Sequence, residues 1–186
     1  MAETATLYRV RLDLSNLDED VYRTLDFRIA QHPSEDGPRL VARILAYGLL
    51  HEEGLEFGRG LSTADDAALW THDLTGRLVH WIDVGVPSAE RIHSASKAAQ
   101  RVSVFCHKPE EALRRELRGK SVFAAERVEF LLVSPQFVTQ AAEKLERSVE
   151  WSLMVTGGEL HLTIGQTTLV GSLERRTLLQ LKEAHG

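Results

Sequence analysis

The chain has a single cysteine, Cys106, so it closes no disulfide within itself. Nothing in it resembles a secreted disulfide scaffold or a cysteine-based zinc site. It also lacks any apolar run of membrane-spanning length. The opening stretch "MAETATLYRVRLDL" alternates apolar and charged residues where a signal peptide would carry an apolar core. The expectation is a cytoplasmic protein without membrane contact. A basic surplus is missing too: 27 acidic residues outnumber 22 lysines and arginines, for a net charge of -5. That argues against loose electrostatic attachment to nucleic acid, while leaving room for a local basic groove around an acidic metal site. There is no H-E-x-x-H, P-loop, G-x-G-x-x-G or G-x-S-x-G pattern, so zinc protease, NTPase, dinucleotide enzyme and serine hydrolase have no motif support. Repeats, low-complexity tracts and Pro/Ser-rich linkers are likewise missing.

What is present suits one compact domain spanning residues 1–186, with 43% apolar and 26% charged residues, enough for a real core. Two alternating segments open the chain. Tyr8, Val10, Leu12 and Leu14 share one face, and Val21, Leu25, Phe27 and Ile29 share another, with the polar "SNLDED" as a hairpin loop between them. Leu40, Val41, Ile44, Leu45 and Leu49 then fall at helical spacing, with Ser34 or Asp36 as cap and Gly54 as terminator. "RLVHWIDVGV", a helix from about Ser88 to Gln100, and "RVSVFCH" read as strand, helix and strand, a crossover between parallel strands. A short charged helix follows in "PEEALRRELRG". "VEFLLV" is a further strand, and "SPQFVTQAAEKLE" a helix capped by Ser134. The tail returns to hairpins, with turns at Thr156-Gly157-Gly158 and Gly165. The polar stretch "LSTADDAALWTHDLTG", a loop or a strand, precedes "RLVHWIDVGV", and "LERRTLLQLKEAHG" reads as a solvated face. His80 is expected to be structural and Cys106 an inert buried thiol.

Four ordered blocks, "HPSE" (32–35), "LEFGRGLST" (55–63), "WIDVGVP" (81–87) and "ERI" (90–92), resemble the signature stretches of the YaeQ family, uncharacterised bacterial proteins. The resemblance implies an α/β fold of the PD-(D/E)XK nuclease-like kind: a mixed sheet flanked by helices, with additional β-hairpins at the N- and C-terminal ends. By position it implies Glu35 and Asp83 as the acids of the site, and Arg59 with Gly60 as its short-strand pair. Two positions depart from the family's pattern. "DDAA" (65–68) keeps Asp65 and Asp66 but ends on Ala68, where the family has a further acid. His93 and Ser94 stand where it shows a basic pair, and the nearest lysine is Lys97.

Such a site would cleave a phosphodiester with Mg²⁺, a hard cation that takes one or two carboxylates and completes its octahedron with water and phosphate oxygens. The implied metal ligands are Asp83, Glu35, Asp66 and Asp65. Lys97 would position the attacking water, and Arg59 would contact phosphate. Each of these residues also has a structural reading. Asp83 can be a buried acid with a polar partner at a strand end, Glu35 a helix-terminus acid, Asp65 and Asp66 solvated loop acids, Lys97 a surface lysine and Arg59 an ion-pair partner. Two functions therefore stand open: metal-dependent hydrolysis of DNA or RNA, and a catalytically silent nuclease-like module that binds a nucleic acid or a protein.

Overall fold

The alternation read at the N-terminus forms a long antiparallel hairpin in the computed structural model, which describes residues 4–61 and 63–183. Strand β1 (Thr6–Asn16) pairs with β2 (Val21–Gln31) from Thr6↔Gln31 to Asn16↔Val21. Val10, Leu12 and Leu14 point into the core and the intervening charged residues point out, as a period of two requires. Helix α1 (Gly37–Leu49) starts with the Asp36 carboxylate accepting the Arg39 N–H at 2.8 Å, so of the two candidate caps Asp36 fills the role. Every residue from Leu40 to Ala46 is buried, Arg43 included. A helix buried all round does not lie on a sheet's outer face; the sheet wraps it.

The middle of the chain supplies β3 (Glu56–Phe57), β4 (Leu69–His72), β5 (Leu78–Val84), α2 (Ala89–Ala98), β6 (Arg101–Cys106), α3 (Glu110–Leu117), β7 (Val128–Val133) and α4 (Pro135–Ala142). The remainder supplies β8 (Ser148–Thr156), β9 (Glu159–Ile164), β10 (Thr167–Thr177) and α5 (Leu178–Glu183). The pair β5 and β6 is parallel, joined by α2 as the crossover pattern demands, and β6 pairs in parallel with β7. These central strands are buried nearly throughout and so read as continuous apolar runs.

All ten strands belong to one sheet, ordered β2-β1-β8-β9-β10-β7-β6-β5-β4-β3. The terminal hairpins are therefore half of the sheet itself, and the expectation of hairpins added to a finished core is corrected. β1 pairs in parallel with β8, and β10 pairs with both β9 and β7, carrying hydrogen bonding from one half into the other. The sheet is nearly closed. Its two edges, β2 and β3, approach across α1, where Phe27, Tyr47 and Phe57 pack with ring centroids 4.3 Å (Phe27–Tyr47), 4.9 Å (Tyr47–Phe57) and 5.8 Å (Phe27–Phe57) apart.

The polar stretch 61–76 combines the two readings left open, a loop that leads into β4, a four-residue strand with a bulge at Thr71/His72. Two local expectations are corrected. The tail is structured through β10 and α5, whose Leu178 and Leu181 are buried. Ser134 sits at the α4 cap position without capping; its hydroxyl instead accepts the Ser172 N–H of β10 at 3.2 Å. No helix among the described residues is long and apolar enough to cross a membrane.

Candidate functional site

Asp83 lies at the end of β5 among Trp81, Ile82 and Val84, 4% exposed, where an unpaired carboxylate would be costly. Its partner is Arg91, eight residues on. The turn after β5 leads to Ser88, whose hydroxyl caps α2 by accepting the Arg91 N–H at 3.1 Å. That places Arg91 in the first turn of α2, facing back onto the strand. Its Nε donates to Asp83 Oδ2 and its Nη2 to Oδ1, both at 2.8 Å, a bidentate fork. The same guanidinium donates to the carbonyls of Asp66, at 2.6 Å, and Ala64, and lies 5.1 Å from the Trp81 ring centre. Arg91 thus ties the loop before β4 to β5. Removing it would leave a buried acid and two carbonyls without a donor, a loss of ~3–5 kcal/mol for a broken buried pair.

Two further acids are held in the same way. Asp66, 8% exposed, accepts Arg59 Nε at 2.7 Å and Nη2 at 2.9 Å, and these hydrogen bonds hold its carboxyl below the usual carboxylate range. The loop between β3 and β4 folds tightly here: a Cβ at Gly58 would come within 1.9 Å of the Ala67 carbonyl oxygen, so only glycine fits. Glu35, 6% exposed, accepts Arg43 Nη1 at 3.0 and 3.2 Å, with Arg39 Nη1 at 3.5 Å. Glu35 directly precedes the Asp36 cap, at the start of α1, and the buried pair with Arg43 holds it.

The three pairs converge. Glu35, Asp66 and Asp83 line one cavity of about 410 Å³ in the gap between the two sheet edges, together with Arg28, Arg39, Arg43, Arg59 and Arg91. Five arginines against three carboxylates leave a formal surplus of two positive charges, in a protein of net charge -5. Four of the arginines retain free donors, Arg43 among them, since its hydrogen bonds all run through Nη1. Arg28 makes no side-chain hydrogen bond among the described residues. Arg59 engages only Nε and Nη2, with its side chain 73% exposed. Arg39 Nη1 is shut away from solvent without a hydrogen-bond partner.

Of the residues singled out in the sequence, the structure brings Glu35, Asp66, Asp83, Arg59 and Ala68 to this cavity. It does not bring Asp65, which is exposed on the loop, nor Lys97, exposed in the last turn of α2. Six residues separate Lys97 from Arg91, about 9 Å along the helix axis, and Lys97 is not among the lining residues. Sequence reasoning missed Arg28, Arg39, Arg43 and Arg91. The available signal was the "ERI" block itself, whose arginine follows the buried acid by one turn and one helix start.

The donor set as it stands does not fit Mg²⁺. Each carboxylate already meets a guanidinium, so an entering cation would confront positive charge at every acid. Among the described residues no three or more His, Cys, Asp or Glu side chains are grouped to hold a metal ion.

A second polar cluster crosses the sheet at β5, β6 and β7. His80 Nδ1 meets Glu52 Oε1 at 3.2 Å and its Nε2 meets Ser103 Oγ at 2.8 Å, while Ser103 donates to Glu129 Oε1 at 2.9 Å. The sequence of contacts is that of a nucleophile, a base and an orienting acid. Ser103, however, is 1% exposed, so no substrate carbonyl reaches its hydroxyl. Burial pushes His80 below its usual range and keeps it a structural residue. Cys106 is fully buried, and burial raises its thiol.

Comparison with known proteins converges on one group. A family model described as YaeQ protein matches residues 1–172. The chain is similar to the uncharacterized protein YaeQ of Salmonella typhi, at 33% identity over 107 residues, and to that of Escherichia coli (strain K12), at 32% over the same length. Both matches cover 58% of this chain and 59% of the relative, so the chain spans about three fifths of the curated relatives it matches. Two crystal structures are similar over nearly the whole chain. The YaeQ protein of Xanthomonas axonopodis pv. citri has a TM-score of 0.84 at 27% identity, covering 94% of this chain and 99% of that one. The YaeQ protein of Pseudomonas syringae has a TM-score of 0.80 at 31% identity, covering 93% and 96%.

Proposed function

We propose, for a chain that belongs to the YaeQ family, that the cleft between the sheet edges binds the phosphate groups of a nucleic-acid strand. The carboxylates of the cleft then serve to hold arginines in place. The observation that carries this reading is the convergence of Arg28, Arg39 and Arg59, each with unused donors, on a cavity whose other two arginines pair with Asp83 and Glu35. Guanidinium forks match phosphate oxygens in geometry and stay charged at every relevant pH. Holding Arg59 on buried Asp66, with Arg39 beside Glu35, lowers the cost of ordering long side chains on binding. A cleft with surplus positive charge also attracts anions locally, whatever the net charge of the whole molecule.

The scaffold around the cleft supports a nuclease-like classification as part of the same proposal: α1, the antiparallel β3–β4–β5, the crossover helix α2 and parallel β6 build its walls. Hydrolysis would need each acid to exchange its guanidinium for Mg²⁺ and a lysine to come from the far end of α2. The resting arrangement favours binding without cleavage.

Fluorescence anisotropy with short labelled single-stranded DNA and RNA tests this. Saturable binding is expected, weakening with salt at a log–log slope of about -0.7 per phosphate contact. Arg28→Ala and Arg39→Ala should each reduce affinity and leave the fold intact, since both side chains line the cleft and neither makes a hydrogen bond among the described residues. Binding indifferent to both changes would overturn the proposal. Mg²⁺-dependent cleavage lost in Asp83→Asn would replace it with the hydrolytic function.

A further inference from the structure

We infer that the cleft selects a strand end carrying a terminal phosphate monoester, in preference to a phosphodiester within a strand. This rests on the phosphate-binding reading above and narrows it. The first ground is size. A cavity of about 410 Å³ suits a ligand on the scale of one nucleotide. Helix α1 forms one wall of it and contributes Arg39 and Arg43 to the lining. A strand can place its end in such a pocket, whereas an internal phosphate would have to bring both flanking nucleotides with it.

The second ground is charge. The lining carries a formal surplus of two positive charges. A phosphate monoester carries about -1.5 to -2 near neutral pH with three terminal oxygens, against a single negative charge on a diester. The third is the state of Arg39. Its side chain is 26% exposed, its Nη1 meets Glu35 Oε1 only at 3.5 Å, and no side-chain hydrogen bond occupies the rest of the guanidinium among the described residues. A guanidinium without acceptors is a ready donor to a monoester oxygen in the cleft, and Arg28 and Arg59 converge on the same cavity for the remaining oxygens. Leu61, Val86 and Pro87 add an apolar wall for the attached sugar or base.

The experiment is competition anisotropy among oligonucleotides of one sequence bearing a 5′-phosphate, a 3′-phosphate or hydroxyl ends, and a circularised form. A phosphorylated end should bind about tenfold tighter than the hydroxyl-ended strand, with the circle weakest. The two phosphorylated arms identify which end is read. Arg39→Gln should bring the ratio of phosphorylated to hydroxyl-ended affinity below about twofold, and Arg28→Ala provides a second variant should the first fold poorly by circular dichroism. Equal binding of all four forms overturns the end-selection inference while the phosphate-binding reading stands. Binding of none overturns that reading itself.

Discussion

At the residue scale, the buried acid in "WIDVG" was visible in the sequence because a carboxylate among Trp81, Ile82 and Val84 is chemically out of place. Its partner was not visible. Arg91 reaches Asp83 across a turn, a helix cap and a chain reversal, and no periodicity encodes that route. Arg28 alternates with apolar neighbours on β2 as any solvated residue would, so nothing local marks it as cleft-lining. His107 makes the residue-level point in another way. It follows β6, is buried, and both ring nitrogens lack a hydrogen-bond partner. Burial, reinforced by Lys108, pushes its pKa down to about 4, with Asp36 opposing and Arg39 adding to the shift. The unfolded chain takes up a proton near the ordinary ~6.5 that the folded protein refuses until about 4. Stability is therefore full above ~6.5 and falls as the pH drops through the window between the two values. Urea unfolding at pH 7 and pH 5 should show a loss of about 2 kcal/mol from this group alone. In His107→Phe that portion of the slope should disappear; an unchanged slope would show that the ring is protonated in the fold.

At the scale of elements, strands and helices with strong periods were legible and those defined by pairing were not. "VEFLLV" is β7 residue for residue, and the turns at Gly157–Gly158 and Gly165 fall where glycine permits a hairpin. By contrast, β4 has four residues and a bulge, and owes its existence to β3 and β5 on either side. α5 shows only two buried leucines among polar residues, and its contacts with α3 and β7 lie far away in sequence. The seating of α4 on β10 depends on one residue. A Cβ at Gly171 would lie 2.5–2.7 Å from Phe137, which is fully buried. The strand thus opens a slot for the ring, and a methyl group would force the helix off the sheet. Gly171→Ala should lower the urea midpoint by an amount worth about 1–3 kcal/mol, the usual cost of overpacking. Phe137→Ala should cost less in the Gly171→Ala chain than in the parent, because removing Cγ and the ring relieves the clash. Two independent, additive losses would show that the slot does not set the packing.

At the scale of the whole molecule, the cleft is a product of closure. Its walls come from β2, α1, the β3–β4 loop and the β5–α2 turn, and they meet because ten strands curve until the first and last edges face each other. That closure was illegible in the sequence, since the hairpins at the two ends of the chain carried no sign of pairing with each other. β1 lies in parallel against β8, Arg9↔Ser148 to Asn16↔Val155, and Asp18 fastens the two hairpin turns by accepting the N–H groups of Gly157 and Gly158 at 2.7 and 2.9 Å. Those bonds hold the Asp18 carboxyl below its usual range. A sheet with continuous hydrogen bonding from β2 to β3 has no seam along which half of it can open while the other half persists. Unfolding should accordingly be a single cooperative transition. Tryptophan probes sit in both halves, Trp151 on β8 and Trp81 on β5, and single-tryptophan variants report each half separately. Their urea midpoints should coincide with each other and with the far-ultraviolet circular dichroism. If the Trp151 signal moved first, the terminal hairpins would be a detachable layer, and Arg28, which β2 brings to the cleft, would come and go with it.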